Sequence, residues 1–159
     1  MSNGSIRVQS KTIYTIEVND NGEYIEFDLS DVGLEARFIE CNDKIQKELA
    51  DFTKKENDII KKIQKEAEKE KEEGVLYTEN EKALIDVQVN FYKTCRNTMD
   101  IFLGENACQK IFGDSNFPTM FIDLFEALSP EFKKMGLNYK EMQKNLYSKY
   151  APKNKKVLK

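Results

Sequence analysis

The side chains of this chain that could carry chemistry are carboxylates and three thiols, because the sequence contains no histidine. That absence removes the commonest general base and the commonest metal ligand together. Acidic pairs such as Glu66 and Glu70 are frequent, but they lie on the charged face of a predicted helix. No Asp/Glu spacing resembles a calcium-binding loop, and neither a Gly-rich phosphate loop nor a nucleophile elbow is present. We therefore expect no enzyme activity, no metal and no cofactor.

The three cysteines, Cys41, Cys95 and Cys108, have neither metal-ligand nor redox-motif spacing. Cys41 and Cys95 fall on the apolar stripes of predicted helices, where a free cysteine behaves as a small hydrophobic residue. The first residues lack an apolar signal core, and no run approaches membrane-spanning length. We expect a protein of the reducing cytoplasm that is not inserted in a membrane.

Charge is abundant but unevenly distributed. Charged residues make up 33% of the chain and the net charge is only −3, so both signs are interspersed as on solvated helix surfaces. The last thirty residues nevertheless carry +7 and the remainder −10. We interpret residues 153–159 as a basic flexible tail, and the overall charge gives no reason to expect nucleic acid as the main partner.

Two alternating segments near the start predict a β-hairpin over about residues 12–29. They flank a turn sequence that ends in Asn21-Gly22. If these two residues form the turn, the pairing is fixed. The expected pairs are Val18 with Ile25, Ile16 with Phe27, and Tyr14 with Leu29. All three apolar pairs then lie on one face, which must pack against helices because an isolated hairpin is only marginally stable.

Two long amphipathic helices follow. Apolar residues recur at helical spacing from Leu34 to Ile63 and predict a helix over about 31–73, with Ser30 as its N-cap. Thr78 and Glu81 form a capping box that starts a second helix over about 79–103, antiparallel to the first. The first helix is too long for a compact domain of this size, so its second half pairs with another helix or projects into solvent.

Shorter helices complete the chain. We predict them at about 105–112, 118–128, 130–135 and 139–150, with Ser129-Pro130 breaking the second from the third. The length of 159 residues fits one domain, residues 1–152. The predicted fold class is mainly α: an N-terminal β-hairpin, then a helical bundle with two long helices and several short C-terminal ones.

Aromatic residues are concentrated around the short helix that Gly104 and Gly113 bracket. Phe112, Phe117, Met120, Phe121 and Phe125 crowd around a glycine and a proline, more than one short helix can easily bury. Such a stripe is usually core, and that alternative stays open. The other interpretation is that these five residues form a partner-binding patch, with the two glycines letting the chain turn sharply so that Ile111 and Phe112 pack on neighbouring helices.

The segment FLGENACQKIFGDSNFPTMFIDLFEAL, residues 102–128, resembles a family of small proteins encoded among the tail genes of phages and prophages of Gram-positive bacteria, the tail assembly chaperones. The matching positions are Phe102, Leu103, Gly104, Glu105, Ile111, Phe112, Gly113, Leu124, Phe125 and Glu126. The ending Lys149, Tyr150, Ala151 and Pro152, followed by lysines, is similar to the family's ending. The longer first helix and the Asn116-Phe117-Pro118 segment depart from the family pattern.

The resemblance implies a non-enzymatic protein in the cytoplasm of the bacterial host. It would bind the tape measure protein and recruit tail tube protein subunits until the tube polymerises around the tape measure. Two alternatives remain open: a structural subunit that stays in the tail, and a regulator that binds nucleic acid through the basic residues 138–159. The sequence leaves the oligomeric state open, a homo-oligomer included.

Overall fold

The structure is a computed structural model that describes residues 3–8, 12–67 and 74–136. The elements are β1 (Ile13–Glu17), β2 (Tyr24–Asp28), α1 (Leu34–Glu66), α2 (Glu79–Leu103), α3 (Ala107–Phe112) and α4 (Met120–Lys134). The predicted fold class, a mainly α protein with an N-terminal hairpin, is confirmed. The predicted helix over 139–150 and the tail at 153–159 lie outside the described residues.

The hairpin forms, but its predicted register is wrong. Tyr14 pairs with Phe27 and Ile16 with Ile25, a shift of two residues from the expected pairing. The cause is Asn19, whose Oδ1 accepts hydrogen bonds from the backbone N–H of Asn21 at 2.9 Å and of Glu23 at 3.3 Å. This side chain stabilises a four-residue loop over 19–22 in place of the two-residue turn. Because the shift is even, each side chain keeps its predicted face.

Helix α1 begins later than predicted. Ser30 is not its cap, because the Ser30 backbone N–H and hydroxyl both donate to Asp28 Oδ1 instead. Asp31 Oδ1 accepts from the backbone N–H of Gly33 at 2.8 Å, and the Asp31 carboxylate pairs with Arg37. This local turn occupies the residues expected to be the first helical turn, so α1 starts at Leu34.

Helices α1 and α2 pack antiparallel, as predicted. Cys41 contacts Met99, and further along the pair Phe52 stacks on Phe91 with ring centroids 4.3 Å apart. At the far end the Asn80 side-chain amide donates to Glu66 Oε1 at 2.6 Å. The predicted capping box of α2 is confirmed: the Thr78 hydroxyl accepts from the backbone N–H of Glu81 at 3.1 Å, and the Glu81 carboxylate accepts from that of Thr78 at 3.1 Å.

Helix α4 runs through Pro130, so the predicted break at Ser129-Pro130 is wrong. A proline inside a helix costs about 3 kcal/mol, through one lost hydrogen bond and a steric clash. Leu124, Leu128 and Phe132 stand on the same helical side and are all buried, so breaking the helix would expose one end of that stripe. Burial of the continuous stripe offsets the cost of the proline.

The hydrophobic core lies at one end of the molecule. Four rings meet there: Phe27 and Phe38 each contact both Phe102 and Phe132, with centroids 5.2 to 6.4 Å apart and all four contacts edge to face. Every buried side chain in the described ranges falls between residues 25 and 45 or between 95 and 135. We call residues 12–45 and 95–136 the head, and residues 46–66 with 79–94 the arm.

The hairpin is attached to the head at three points. Its apolar face contributes Ile25 and Phe27 to the core. The Tyr14 hydroxyl donates to the Glu131 carboxylate of α4. The Asn19 side-chain amide donates to the Lys110 carbonyl at 2.9 Å, and Lys110 Nζ donates to the Tyr24 carbonyl at 3.3 Å, which ties the hairpin to α3.

Candidate protein-binding surface

The short helix α3 is held at both ends by residues that allow a sharp change of direction. Gly104 ends α2 with φ +114°, and Gly113 ends α3 with φ +63°. An L-residue with a side chain is disfavoured in either conformation, so both turns require glycine. The prediction for this pair of glycines is therefore confirmed, and Ile111 and Phe112 pack against the core as expected.

Two polar residues of α2, which the sequence analysis did not single out, fix α3 and the loop after it. Asp100 Oδ1 accepts a hydrogen bond from the backbone N–H of Cys108 at 2.8 Å. Arg96 donates to the carbonyls of Gly113 and Ser115 at 2.8 and 2.7 Å and to Asn116 Oδ1 at 2.7 Å. Its guanidinium carbon also lies 5.8 Å from the centre of the Phe112 ring. Arg96 thus positions the loop 113–116 that leads to Phe117.

The five residues predicted as a partner-binding patch divide into two groups. Met120, Phe121 and Phe125 are 0%, 4% and 6% exposed and belong to the core. Their predicted display on the surface is wrong, because α4 turns this side toward α1 and α2. Phe117 is 38% exposed and Phe112 is partly buried. These two remain accessible.

The residues of the sequence motif at 102–126 and of the hairpin turn are explained mainly by their roles in folding. Phe102, Leu103, Leu124 and Phe125 are buried, whereas Glu105 and Glu126 are exposed. In the hairpin turn, Asn21 donates its N–H to Asn19, and Gly22 has φ +75°. The positions that carry the resemblance to tail assembly chaperones therefore build the head, and the stretch at 149–152 lies outside the described residues.

An exposed apolar stripe runs along α2 toward α3. Ile85 and Val89 are 44% and 55% exposed, and Tyr92 follows one helical turn after Val89. The Tyr92 ring stacks on Phe121 at 6.4 Å, Phe121 contacts Phe112 at 6.1 Å, and Phe112 contacts Phe117 at 5.9 Å. We define the α2 stripe as Ile85, Val89, Tyr92, Phe112 and Phe117. Residues 85, 89 and 92 have helical spacing, which is the sequence signal for this second stripe.

The thiols are placed as structural residues. All three cysteines are free and buried. Burial raises the pKa of Cys41 and of Cys95 to about 12, and it raises the pKa of Cys108 as well. The thiolate, which is the reactive form, is thus suppressed at neutral pH. Within the described ranges, no group of three or more acidic or cysteine side chains could hold a metal ion.

The described part of the chain contains no helix long and apolar enough to cross a membrane. The profile of one protein family matches residues 21–157, from the hairpin turn to the basic end. The chain belongs to DUF6673, a family of unknown function. The DUF6673 match covers the arm, the α2 stripe and the head from residue 21 onward, and it leaves out β1. No curated protein and no solved structure matches the chain.

Proposed function

We propose that this protein is a non-enzymatic tail assembly chaperone that binds the tape measure protein and recruits tail tube subunits during assembly. The observation that carries the binding role is the exposed α2 stripe, which joins two aliphatic residues of the arm to the accessible rings of Phe112 and Phe117. Exposed apolar surface of this kind is typical of a protein that engages a partner.

The choice of partner rests on the resemblance of residues 102–128 to tail assembly chaperones. A tape measure protein is a long helical chain, and a helical protein with an exposed apolar stripe is suited to hold it. The lack of histidine throughout the chain and the buried, protonated thiols favour binding over catalysis.

Affinity capture tests this proposal. The protein is used as bait in cells that express the surrounding phage or prophage tail genes, and bound proteins are identified by mass spectrometry beside purified particles. We expect the tape measure protein on the bait and this protein to be missing from the particles. Stoichiometric protein in the particles would support a structural subunit instead, and capture of no tail protein would overturn both.

A surface variant and a matched control connect the capture to the α2 stripe. Phe117→Glu places a charge on an accessible ring and is expected to reduce capture at least tenfold. Ile101→Glu alters a residue of α2 that is 64% exposed and lies away from the stripe, and it should leave capture unchanged. Phe121 is unsuitable for this test because it is buried, so a charge there would unfold the head.

A regulator that binds nucleic acid through residues 138–159 is the remaining alternative, and those residues lie outside the described ranges. Its binding would weaken steeply with salt and disappear when that segment is deleted.

A further inference from the structure

Asn21 and Gly22 form one of two asparagine–glycine pairs in the chain. The sequence predicts them as a two-residue turn, but in the structure they close the four-residue loop 19–22. An asparagine before glycine is the asparagine most open to attack by the main chain, because glycine has no side chain to hinder its own nitrogen. The second pair, Asn3 and Gly4, lies in an exposed stretch without regular structure and serves as a reference of the same composition.

The loop leaves both reacting groups of this pair accessible. Asn21 and Gly22 are exposed, and a β-carbon at Gly22 would have no neighbour within 4 Å. In the part of the chain that the structure describes, neither the Gly22 N–H nor the Asn21 side-chain amide has a protein hydrogen-bond partner. The Asn19 side chain instead holds the N–H groups on either side of Gly22, those of Asn21 and Glu23. The attacking nitrogen and the carbonyl carbon beside it are therefore open to water.

The other described asparagines lack this combination, and each is followed by a residue that has a side chain. Asn106 precedes Ala107, whose N–H donates to the Gly104 carbonyl at 3.1 Å. Asn19 and Asn116 are held by hydrogen bonds through their own side chains. The remaining five lie within α1 or α2, where the next N–H is bonded in the helix or at its cap: Asn42, Asn57, Asn80, Asn90 and Asn97.

We propose that Asn21 is a site of spontaneous modification in the native protein. The Gly22 nitrogen attacks Cγ of Asn21 and forms an N–Cγ bond, while its proton passes by way of water to the side-chain nitrogen, which leaves as ammonia. The product is a cyclic succinimide, which water then opens. Hydrolysis of the new N–Cγ bond yields aspartate, whereas hydrolysis of the original peptide bond yields isoaspartate, in which the main chain continues through Cγ. Neither step needs an enzyme, an oxidant or a reductant.

The isoaspartate product lengthens the loop where the Asn19 side chain spans it. Its main chain contains one additional carbon between the nitrogen atoms of residues 21 and 22. Asn19 Oδ1 accepts from the N–H of Asn21 at 2.9 Å and of Glu23 at 3.3 Å, so the added atom falls between its two donors. We expect this oxygen to lose one of them. Because the Asn19 amide also donates to the Lys110 carbonyl at 2.9 Å, isoaspartate loosens the attachment of the hairpin to α3.

Ageing of the full chain in mildly alkaline buffer tests the site. Peptide mass spectrometry measures the conversion of each asparagine to the acid, and an isoaspartyl methyltransferase with a labelled methyl donor measures the isoaspartate. We expect Asn21 to convert at a rate within about tenfold of that of Asn3, since the reaction disturbs at most the weak hydrogen bonds within the loop. The asparagines of α1 and α2 should be intact when half of Asn21 has reacted.

Two variants separate the effect of the inserted atom from that of charge. Asn21→Gln moves the amide one carbon further away, so attack would require a larger ring, and the aged variant should contain no isoaspartate at residue 21. Asn21→Asp, freshly purified, carries the charge of the product on an unchanged main chain. Hydrogen exchange follows the Val18 N–H, which donates to the Glu23 carbonyl at 3.0 Å and closes the loop. Exchange there should be roughly tenfold faster in isoaspartate-containing protein and unchanged in both variants.

Asn3→Gln is the matched control, because it removes the other asparagine–glycine pair and leaves the hairpin untouched. Its aged form should show the same faster exchange as the aged wild type. The proposal is overturned if Asn21 stays unmodified in the native protein after Asn3 has fully converted, or if isoaspartate at residue 21 leaves the Val18 exchange rate unchanged. Either result is independent of tape measure capture, because the loop 19–22 contains no residue of the α2 stripe.

Discussion

The head and the arm contain parts of the same two helices, yet they bury side chains to different depths. In the head, α3, α4 and the hairpin cover α1 and α2, and residues such as Ile45 and Cys95 are fully buried. In the arm the two helices pack on each other, with Phe121 of α4 contacting Tyr92 at the boundary, and every described apolar side chain there is half-buried or exposed. Two helices can bury one seam, whereas a third element is needed to enclose a core.

This difference implies separate tasks. The head supplies most of the stability because burial of apolar area is the largest favourable term in folding. The arm retains apolar surface that is open to a partner, and its local stability is lower because few of its contacts are buried.

The thiols report on the packing of the head, since all three cysteines lie there. With the pKa of Cys41 and Cys95 near 12, the thiolate fraction at pH 8 is on the order of a thousandfold below that of an ordinary cysteine. We expect an aromatic disulfide reagent to modify the native protein at least that much more slowly than the denatured chain. Rapid modification of one thiol in the native protein would show that the head opens locally.

Removal of a central ring of the head should produce the largest loss of stability. Phe102 contacts Phe27, Phe38 and Phe132, so Phe102→Ala leaves a cavity at the meeting point of the hairpin and three helices. We expect the free energy of unfolding to fall by about 3–5 kcal/mol in urea titrations followed by circular dichroism. A loss below about 1 kcal/mol would contradict the assignment of this cluster as the core.

The equivalent change in the arm should cost less. Phe91 stacks on Phe52 at 4.3 Å but is only half-buried, so Phe91→Ala loses less contact and less burial. We expect a loss of about 1–2 kcal/mol, together with faster hydrogen exchange at 51–66 and 79–94 than in the head. A loss equal to that of Phe102→Ala would mean that the arm is as tightly packed as the head.

The smallest effect should come from the cap at the start of α2. Thr78→Ala removes the hydroxyl that accepts from the Glu81 N–H and should lower the free energy of unfolding by about 1 kcal/mol. Thr53→Ala is the control, because the Thr53 hydroxyl donates within α1 to the Leu49 carbonyl and caps no helix end. Thermal unfolding should barely change for the control, and equal losses would exclude a special role for the cap.

Local signals predicted most of the elements. The Thr78 and Glu81 pair marked the start of α2, and the two glycines marked both ends of α3, because each signal acts on neighbouring backbone groups. The errors arose where a distant or competing contact decided the outcome. Asn19 shifted the register of the hairpin because its side chain accepts hydrogen bonds within the loop. The buried face of α4 kept the helix continuous through Pro130.

The candidate site was predictable only in part. Apolar crowding around Phe117 correctly indicated an accessible ring, but it did not show that Met120, Phe121 and Phe125 face inward. That orientation depends on where α4 lies against α1 and α2, which periodicity within α4 does not reveal. The Arg96 contacts join residues about twenty positions apart in a loop without regular structure, so no spacing rule indicates them.

The three attachments of the hairpin also determine the order in which the molecule can be completed during synthesis. The strands leave the ribosome early, but Ile25 and Phe27 have no cover until Phe102 and Phe132 have been made. An isolated two-stranded hairpin is marginal in water, so its apolar face stays uncovered through translation of both long helices. The hairpin therefore packs into the core only after α4 is released and Tyr14 can reach Glu131.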